Sequence, residues 1–193
     1  MQFIKDKHED KETGKTKAVH GNVHDCLGMS LDFSSKGTIK IDAKDHVQLM
    51  LDDFSENLGE AASMPAADHS FQVREATKLE TTKAQELHNV AARGSFACER
   101  AKQDIQLAIS FLCTRVKEPD KDNWGKSCQM MKCSKGTKCL RLKSSADNLN
   151  IAKWHIDASH AAHPDVKSHT GGAMMSSRVL EHEHFAACLQ CMQ

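Results

Sequence analysis

The chain of 193 residues contains no tyrosine, carries no formal net charge and has no long apolar run. Lys plus Arg and Asp plus Glu each number 26, which disfavours a strongly basic nucleic-acid binder or an acidic tail protein as a description of the whole chain. No run approaches the roughly 18 consecutive apolar residues that a membrane helix needs. The first twenty residues are rich in Lys, Asp and Glu and resemble no secretory signal. We therefore expect an intracellular protein with no membrane partner, in a compartment that the sequence does not identify.

Cysteine is abundant where tyrosine is missing, with eight residues scattered along the chain. Without an export signal, such scattered cysteines favour reduced thiols over a disulfide framework. The absence of tyrosine is unusual in a chain with strand-like segments, because tyrosine suits a half-buried pleated surface. Hydrophobic residues make up 39% of the chain and charged residues 27%, a balance that still favours folding over disorder.

Hydrophobic periodicity predicts strands near both ends of the chain and helices between them. Residues 23–33 and 38–41 alternate around a turn signal at 34–37, which predicts a β-hairpin. Apolar residues at i, i+3, i+4 and i+7 predict a helix from Asp42 to Phe54. The remaining patterns predict, in chain order, a surface connection over 55–80, a helix from Thr82 to Cys98 weakened by Gly94, a helix over 104–116, a helix capped by Asp120 or Asp122 and ended by Gly136, short strands at 140–142 and 149–156, a strand opening at 171–174, and a terminal helix within 179–193.

A set of short stretches over residues 5–175 stands out by its order and spacing. Its members are His24–Met29, the helix Asp42–Phe54, Met64–Ala67, Asp104–Gln106, Phe111–Val116, Lys135–Thr137, Asp157–Ser159 and Lys167–Gly172. This set resembles the Pol polyprotein of copia-type retrotransposons, from the tail of the reverse transcriptase (the RNA-directed DNA polymerase of the transposable element) into the first strands of its ribonuclease H.

The resemblance implies an α+β fold, consisting of a partial reverse-transcriptase palm and thumb with a truncated ribonuclease H-like β-segment. The implied segments are a palm tail with a β-hairpin and a helix at 1–55, a thumb-like connection with helices at 56–118, a basic connection helix at 119–145, the start of the ribonuclease H-like domain at 146–178, and a non-matching tail at 179–193.

Both catalytic centres of this family depend on carboxylates that hold divalent metals, Mg²⁺ in the parent family. By the family's spacing, the polymerase aspartate pair would lie upstream of Met1. We reject Asp52–Asp53 as a substitute, because the pair ends an amphipathic helix and fits solvated surface carboxylates. Asp157 matches the first ribonuclease H carboxylate and is the candidate catalytic and metal-binding residue. Its partner carboxylates would follow Gly172, so we predict that both centres are incomplete and leave open whether the chain is an enzyme.

Several departures from the family pattern also indicate a chain that has lost its activity. Cys26, His46 and Cys133 stand where the family usually has an aromatic residue or tyrosine. Tyrosine reaches cysteine or histidine by a single base change, so drift in an unselected element would produce both the missing tyrosine and the excess of cysteine and histidine. We therefore predict a remnant.

A run of cations without an intervening carboxylate is the candidate nucleic-acid-binding stretch. It comprises Lys126, Lys132, Lys135, Lys138, Arg141 and Lys143. Contacts to the phosphates of an RNA or DNA template–primer and a merely solvated basic face are both open. The chain is thus predicted to be a catalytically incomplete polymerase–ribonuclease H fragment, or alternatively a non-enzymatic fragment that contacts nucleic acid through 126–143. The sequence does not predict an oligomeric state.

The C-terminal tail contains one metal-like spacing. His182, His184, Cys188 and Cys191 could supply two imidazoles and two thiolates to a tetrahedral zinc ion. The His pair and the Cys pair are closer together than in known zinc fingers. The alternative interpretation is that these residues occur by chance in a tail that does not match the family.

Overall fold

The computed structural model describes residues 18–67, 69–145, 150–160, 169–175 and 186–187, together with Phe3 and Lys7. Its strands are β1 (Val23–Cys26), β2 (Met29–Asp32), β3 (Thr38–Asp42), β4 (Leu142–Ser145), β5 (Lys153–Ser159), β6 (His169–Met175) and β7 (Ala186–Ala187). Its helices are α1 (Lys44–Asp52), α2 (Thr81–Cys98), α3 (Gln106–Cys113) and α4 (Lys121–Thr137), with a 3₁₀ turn at Gln103–Ile105. This mixture of helices and sheets is compatible with the predicted α+β class. No helix of the described residues combines the length and apolarity needed to cross a bilayer.

The first sheet is antiparallel and has the order β1-β2-β3-β4. The predicted hairpin is confirmed at β2 and β3, but residues 23–33 form two strands instead of one. Leu27 and Gly28 form a two-residue turn between them, with φ angles of 52° and 74°. Positive φ at both positions is the type I′ geometry that matches the twist of a hairpin. Sequence patterns missed this turn because leucine rarely adopts positive φ.

The four helices follow the predicted periodicities, with changes at the ends of three of them. α2 lies where its pattern predicted it, α1 is shorter at both ends than the predicted Asp42–Phe54, and Asp120 caps α4 by accepting a hydrogen bond from the Asn123 backbone N–H at 2.8 Å. The helix predicted over 104–116 begins as a 3₁₀ turn and ends early, at Cys113. The predicted stop at Gly136 is wrong, because α4 continues to Thr137. A Cβ at Gly136 would lie 3.1 Å from Ala61 Cβ, so glycine here permits close packing of the connection.

The core is formed where α2, α3 and α4 pack together, with α1 and the residues after it covering one side. Its fully buried side chains include Leu87, Ile105, Ile109, Leu112, Met130 and Met131. The connection over 55–80 was predicted to run over the surface. It is irregular, but it packs on α4: Leu58 is buried, and the Ala62 backbone N–H donates to the Lys132 carbonyl.

The second sheet is antiparallel with the order β5-β6-β7. The strands predicted at 149–156 and 171–174 correspond to β5 and β6, and the one predicted at 140–142 corresponds to β4, shifted towards the C-terminus. The helix predicted within 179–193 is wrong at its described residues, because Ala186 and Ala187 pair with β6. Trp124 is a buried core residue, whereas Trp154 is 62% exposed on β5.

The Leu27–Gly28 turn predicts that Leu27→Asn stabilises the protein. Leu27 is 72% exposed and holds positive φ, so leucine adds strain and little burial, whereas asparagine tolerates this geometry. We expect the free energy of unfolding in urea to rise by about 0.5–1 kcal/mol. The control is Leu49→Asn, at a leucine that is 60% exposed within α1 and should lose helix propensity instead. A loss of stability in Leu27→Asn would contradict the turn.

Gly94 of α2 predicts an overpacking defect on substitution. An added Cβ would lie 2.2 Å from Ile109 Cδ1, an atom of a fully buried side chain. We expect Gly94→Ala to lower the free energy of unfolding by about 1–2 kcal/mol despite alanine's higher helix propensity. Because Ile109→Val removes Cδ1, the double variant should lose less than the sum of the single losses.

Gly125→Ala is the matched control for this prediction. Gly125 lies within α4, and nothing stands within 4 Å of an added Cβ. The same substitution should therefore stabilise the protein there by about 0.5–1 kcal/mol. Equal effects at Gly94 and Gly125 would contradict the close approach of α2 and α3.

Candidate nucleic-acid interface and the position of Asp157

Asp157, which directly follows the strand predicted at 149–156, lies within β5, opposite Gly171 of β6. Its side chain is exposed, and its Oδ1 accepts a hydrogen bond from the Ala158 backbone N–H at 2.9 Å. Among the described residues, no three His, Cys, Asp or Glu side chains form a group that could hold a metal ion. A two-ion centre requires several carboxylates, so the described surroundings of Asp157 do not fit a pair of Mg²⁺ ions. Magnesium binding at Asp157 stays a prediction.

The rejected pair Asp52–Asp53 lies at the end of α1 with both side chains exposed. Asp52 accepts a hydrogen bond from Gln48 Nε2 at 2.8 Å, and Asp53 forms an ion pair with Arg93 of α2. These carboxylates are thus surface groups that satisfy local partners, which confirms the interpretation made from the sequence.

Lys126 is the one member of the predicted basic stretch that the structure buries. Its side chain is 6% exposed, and its Nζ pairs with Asp122 at 2.6 Å and donates to the Gln72 carbonyl at 2.5 Å. The ammonium also lies 4.7 Å from the centroid of the Phe111 ring. Since the ammonium is enclosed by these groups, the prediction that Lys126 contacts phosphate is corrected: the residue holds the connection on α4.

Three other members each donate one hydrogen bond within the protein. Lys135 Nζ donates to the Gly59 carbonyl at 2.7 Å, and Lys138 Nζ donates to Gln48 Oε1 at 3.0 Å. Arg141 Nε donates to Asp42 Oδ2 at 2.9 Å, while its side chain remains 60% exposed. An ammonium has three N–H donors and a guanidinium five, so one internal bond orients each cation without using its whole capacity. Lys132 is half-buried on α4.

Lys143 is exposed on β4 and lies directly opposite Lys40 of β3. Two like charges in such a pair repel each other, and an anion placed between them relieves the repulsion. Sequence analysis missed Lys40, because the pairing of β3 with β4 joins residues about a hundred positions apart and no local pattern reports it.

Two carboxylates offset part of the positive charge on this sheet face. Asp42 pairs with Arg141, and Asp32 lies opposite Lys40 on β2. Hydrogen bonds from the side chain and backbone of Ser34 lower the pKa of Asp32, and the charges of Lys40 and Arg141 lower it further. The face therefore carries both signs, with Lys143 at its exposed edge.

The cysteines of the described residues are free thiols, as predicted for a reduced chain. Burial raises the pKa of Cys98 to about 12, and burial also raises the pKa values of Cys128 and Cys133. Thiols with raised pKa values are poor nucleophiles at neutral pH. His182, His184, Cys188 and Cys191, the predicted zinc ligands, lie outside the described residues.

Lys102 is a second buried cation that sequence analysis missed. Its side chain is fully buried, and its Nζ contacts Asp104 Oδ2 at 2.9 Å, the Thr137 carbonyl at 2.7 Å and Thr137 Oγ1 at 2.9 Å. Thr137 Oγ1 in turn donates to Asp104 Oδ2 at 2.7 Å. The group therefore joins the turn before α3 to the end of α4, a few residues before Lys143 of β4.

No family model, curated protein or solved structure matches this chain. The copia-type resemblance therefore remains a prediction, and the function is proposed below from the residues and their geometry.

The buried Lys102 group predicts a large loss of stability in Lys102→Met. Removing the ammonium leaves the Asp104 carboxylate and the Thr137 carbonyl without their cation, which costs about 3–5 kcal/mol of unfolding free energy. Asp104→Asn in the same chain should restore part of this loss, because it removes the unpaired charge. Urea denaturation at neutral pH measures both effects.

Lys78→Met is the matched control. Lys78 pairs with Glu118 at 3.3 Å, but both side chains are about three-quarters exposed, at 76% and 75%. Such a solvated pair contributes roughly 0–1 kcal/mol. Losses of similar size in the two variants would show that the Lys102 group is not a structural requirement.

Proposed function

We propose that the chain is a segment of the Pol polyprotein of a copia-type retrotransposon, covering the tail of the reverse transcriptase, the connection and the start of the ribonuclease H. The observation that carries this proposal is the shared order and spacing of the short stretches over residues 5–175. The fold is compatible with it: the β2–β3 hairpin is followed by α1, and Asp157 lies in the first strand of a separate antiparallel sheet.

By itself this segment neither polymerises DNA nor cleaves RNA. The support is geometric, because metal-assisted phosphoryl transfer needs several carboxylates around its ions. Asp157 is exposed on β5, and the described residues assemble no group of three metal-ligating side chains around it. The adjacent aspartates of α1 are engaged by Gln48 and Arg93.

Activity assays with Mg²⁺ or Mn²⁺ test this function. We expect no extension of a primed RNA template and no cleavage of an RNA–DNA hybrid by the purified chain. Asp157→Asn, which keeps the shape and removes the charge, is the control for contamination. Turnover that is present in the unaltered chain and absent in Asp157→Asn would refute the proposed inactivity and establish Asp157 as a catalytic residue.

The second candidate function is sequence-independent contact with nucleic acid through the basic face. We define the basic face as the exposed and half-buried cations at the end of α4 and on the paired strands, namely Lys132, Lys135, Lys138, Arg141, Lys143 and Lys40. The observation that favours it is the opposition of Lys40 and Lys143 across β3 and β4, which a bound phosphate would stabilise.

The double variant Lys40→Gln/Lys143→Gln tests the basic face. If each lysine contacts one phosphate, the variant should bind an RNA–DNA hybrid about tenfold or more weakly at low salt. The slope of log affinity against log salt should fall by about two, because each contact releases roughly 0.9 counterion. Fluorescence anisotropy at several salt concentrations measures both quantities.

Lys78→Gln/Lys121→Gln is the matched control for this binding. It removes the same charge from two exposed lysines near the other end of α4. Equal weakening by both double variants would show that only net charge matters, and binding that does not change with salt would exclude phosphate contact through the basic face.

A further inference from the structure

β5 is the longest outer strand of the two described sheets. Of the described residues, only those of β6 pair with it, and this pairing follows the whole strand from Lys153 to Ser159. The other outer strands, β1, β4 and β7, have two to four residues, whereas β5 has seven. The backbone N–H and C=O groups along the outer edge of a strand can pair with another chain. β5 therefore offers the longest edge for strand addition among the described strands.

Apolar side chains of β5 are exposed beside this edge. Trp154 and Ile156 are 62% and 73% exposed. Ile156 lies opposite Gly172 of β6, a residue without a side chain, and Trp154 lies opposite Met174, which is itself 38% exposed. A further strand on the outer side of β5 would supply the cross-strand neighbours that β6 gives only in part. Pairing at this edge would therefore remove apolar surface from water.

The sequence of β5 is complementary to itself when a second copy runs antiparallel about Ile156. With a two-fold axis at Ile156, His155 of each copy lies opposite Asp157 of the other. Ile156 lies opposite Ile156, and the large Trp154 lies opposite the small Ala158. Directly opposite residues share a face of the sheet, so the two charged pairs lie on one face and the apolar pairs on the other. All seven residues of β5 are paired in this register.

Neighbouring registers lose these matches. A shift of the two strands by one residue places His155 opposite Ile156 or Ala158, and so sets polar side chains against apolar ones. A shift by two residues places either His155 or Asp157 opposite itself, and it pairs five of the seven residues of β5. The register about Ile156 therefore combines the greatest overlap with opposite charges in both polar pairs.

We propose that two copies of this chain associate through the outer edges of β5 in the register about Ile156, which joins two three-stranded sheets into one sheet of six strands. The charge complementarity of His155 and Asp157 selects a second copy as the partner. Asp157 Oδ1 accepts from the Ala158 N–H within one copy, and the second oxygen of the carboxylate can accept from His155 of the other copy. A two-fold pairing uses the edge of both copies, so the assembly closes as a dimer. This proposal does not depend on the retrotransposon assignment.

Sedimentation velocity of the full chain tests the association, at concentrations from about 10 to 500 μM in reducing buffer. We expect an equilibrium between monomer and dimer. Ile156→Lys places two ammonium groups at the axis and should raise the dissociation constant of the dimer by about tenfold or more. Leu107→Lys adds the same charge at a leucine that is 65% exposed on α3, and it should associate as the unaltered chain does.

Exchange of the two charges tests the register. His155→Glu sets carboxylates opposite Asp157, and Asp157→Lys sets ammonium groups opposite His155, so each single variant should weaken the dimer. The double variant His155→Glu/Asp157→Lys restores two pairs of opposite charge and should recover the dimer. Both positions are exposed, and circular dichroism checks that each variant keeps the fold.

Oxidative cross-linking tests the register by a separate measurement. Ile156→Cys brings two thiols to the axis, where the Cα atoms of opposite residues are about 4.5–5.5 Å apart, within the reach of a disulfide. Peptide mapping by mass spectrometry should find position 156 linked to itself. His155→Cys is the matched control, because position 155 faces Asp157 of the other copy and should not link to itself.

Four results would overturn the proposal. The first is a chain that remains monomeric up to about 500 μM, and the second is a series of assemblies larger than a dimer. The third is equal weakening by Ile156→Lys and Leu107→Lys, because association would then follow net charge. The fourth is a wrong register, shown by self-linking at position 155 instead of 156 or by a folded double variant that does not recover the dimer.

Discussion

The burial of Lys102 is the constraint on which the arrangement of the chain depends. An ammonium without partners in the core would cost several kcal/mol, so the fold must bring Asp104 and the end of α4 to it. The Thr137 carbonyl lies at the end of α4, where it also accepts a hydrogen bond from the Leu140 backbone N–H at 2.9 Å, and a cation is favourable at a helix C-terminus. The same contact fixes the point at which the chain leaves α4 and begins β4.

The candidate nucleic-acid surface is a consequence of that exit point. Once α4 ends beside the turn before α3, β4 can pair with β3 in the observed register, with Lys143 opposite Lys40. Arg141, one position before β4, then reaches Asp42 at the end of β3. Cations from two distant parts of the chain thus share a sheet face because a buried ion pair elsewhere sets where α4 ends.

The lysines of α4 also explain how a connection without periodicity packs on a helix. Irregular backbone leaves carbonyl groups that need donors, and long ammonium side chains can reach them. Lys126 donates to the Gln72 carbonyl and Lys135 to the Gly59 carbonyl, while Gln129 Nε2 donates to the Met64 carbonyl at 2.9 Å. Part of a cationic run that is typical of nucleic-acid binding is therefore used to hold the fold.

Local patterns predicted the helices and the cap of α4, because a helical period and a capping aspartate such as Asp120 act within a few residues. They did not predict the turn at Leu27, where tertiary context enforces a positive φ, or the burial of Lys126, which depends on a carbonyl 54 positions away.

The β5–β6 register determines which side chains lie on the same face as Asp157. Successive residues of a strand alternate between faces, so Trp154 and Ile156 share one face of β5 and Asp157 lies on the other. Met174 pairs with Trp154 and adds to the apolar face. Covering that exposed face would bury its side chains, but it would place no carboxylate beside Asp157. Completion of a metal centre therefore requires acidic groups on the opposite face, which is a separate requirement from completion of the core.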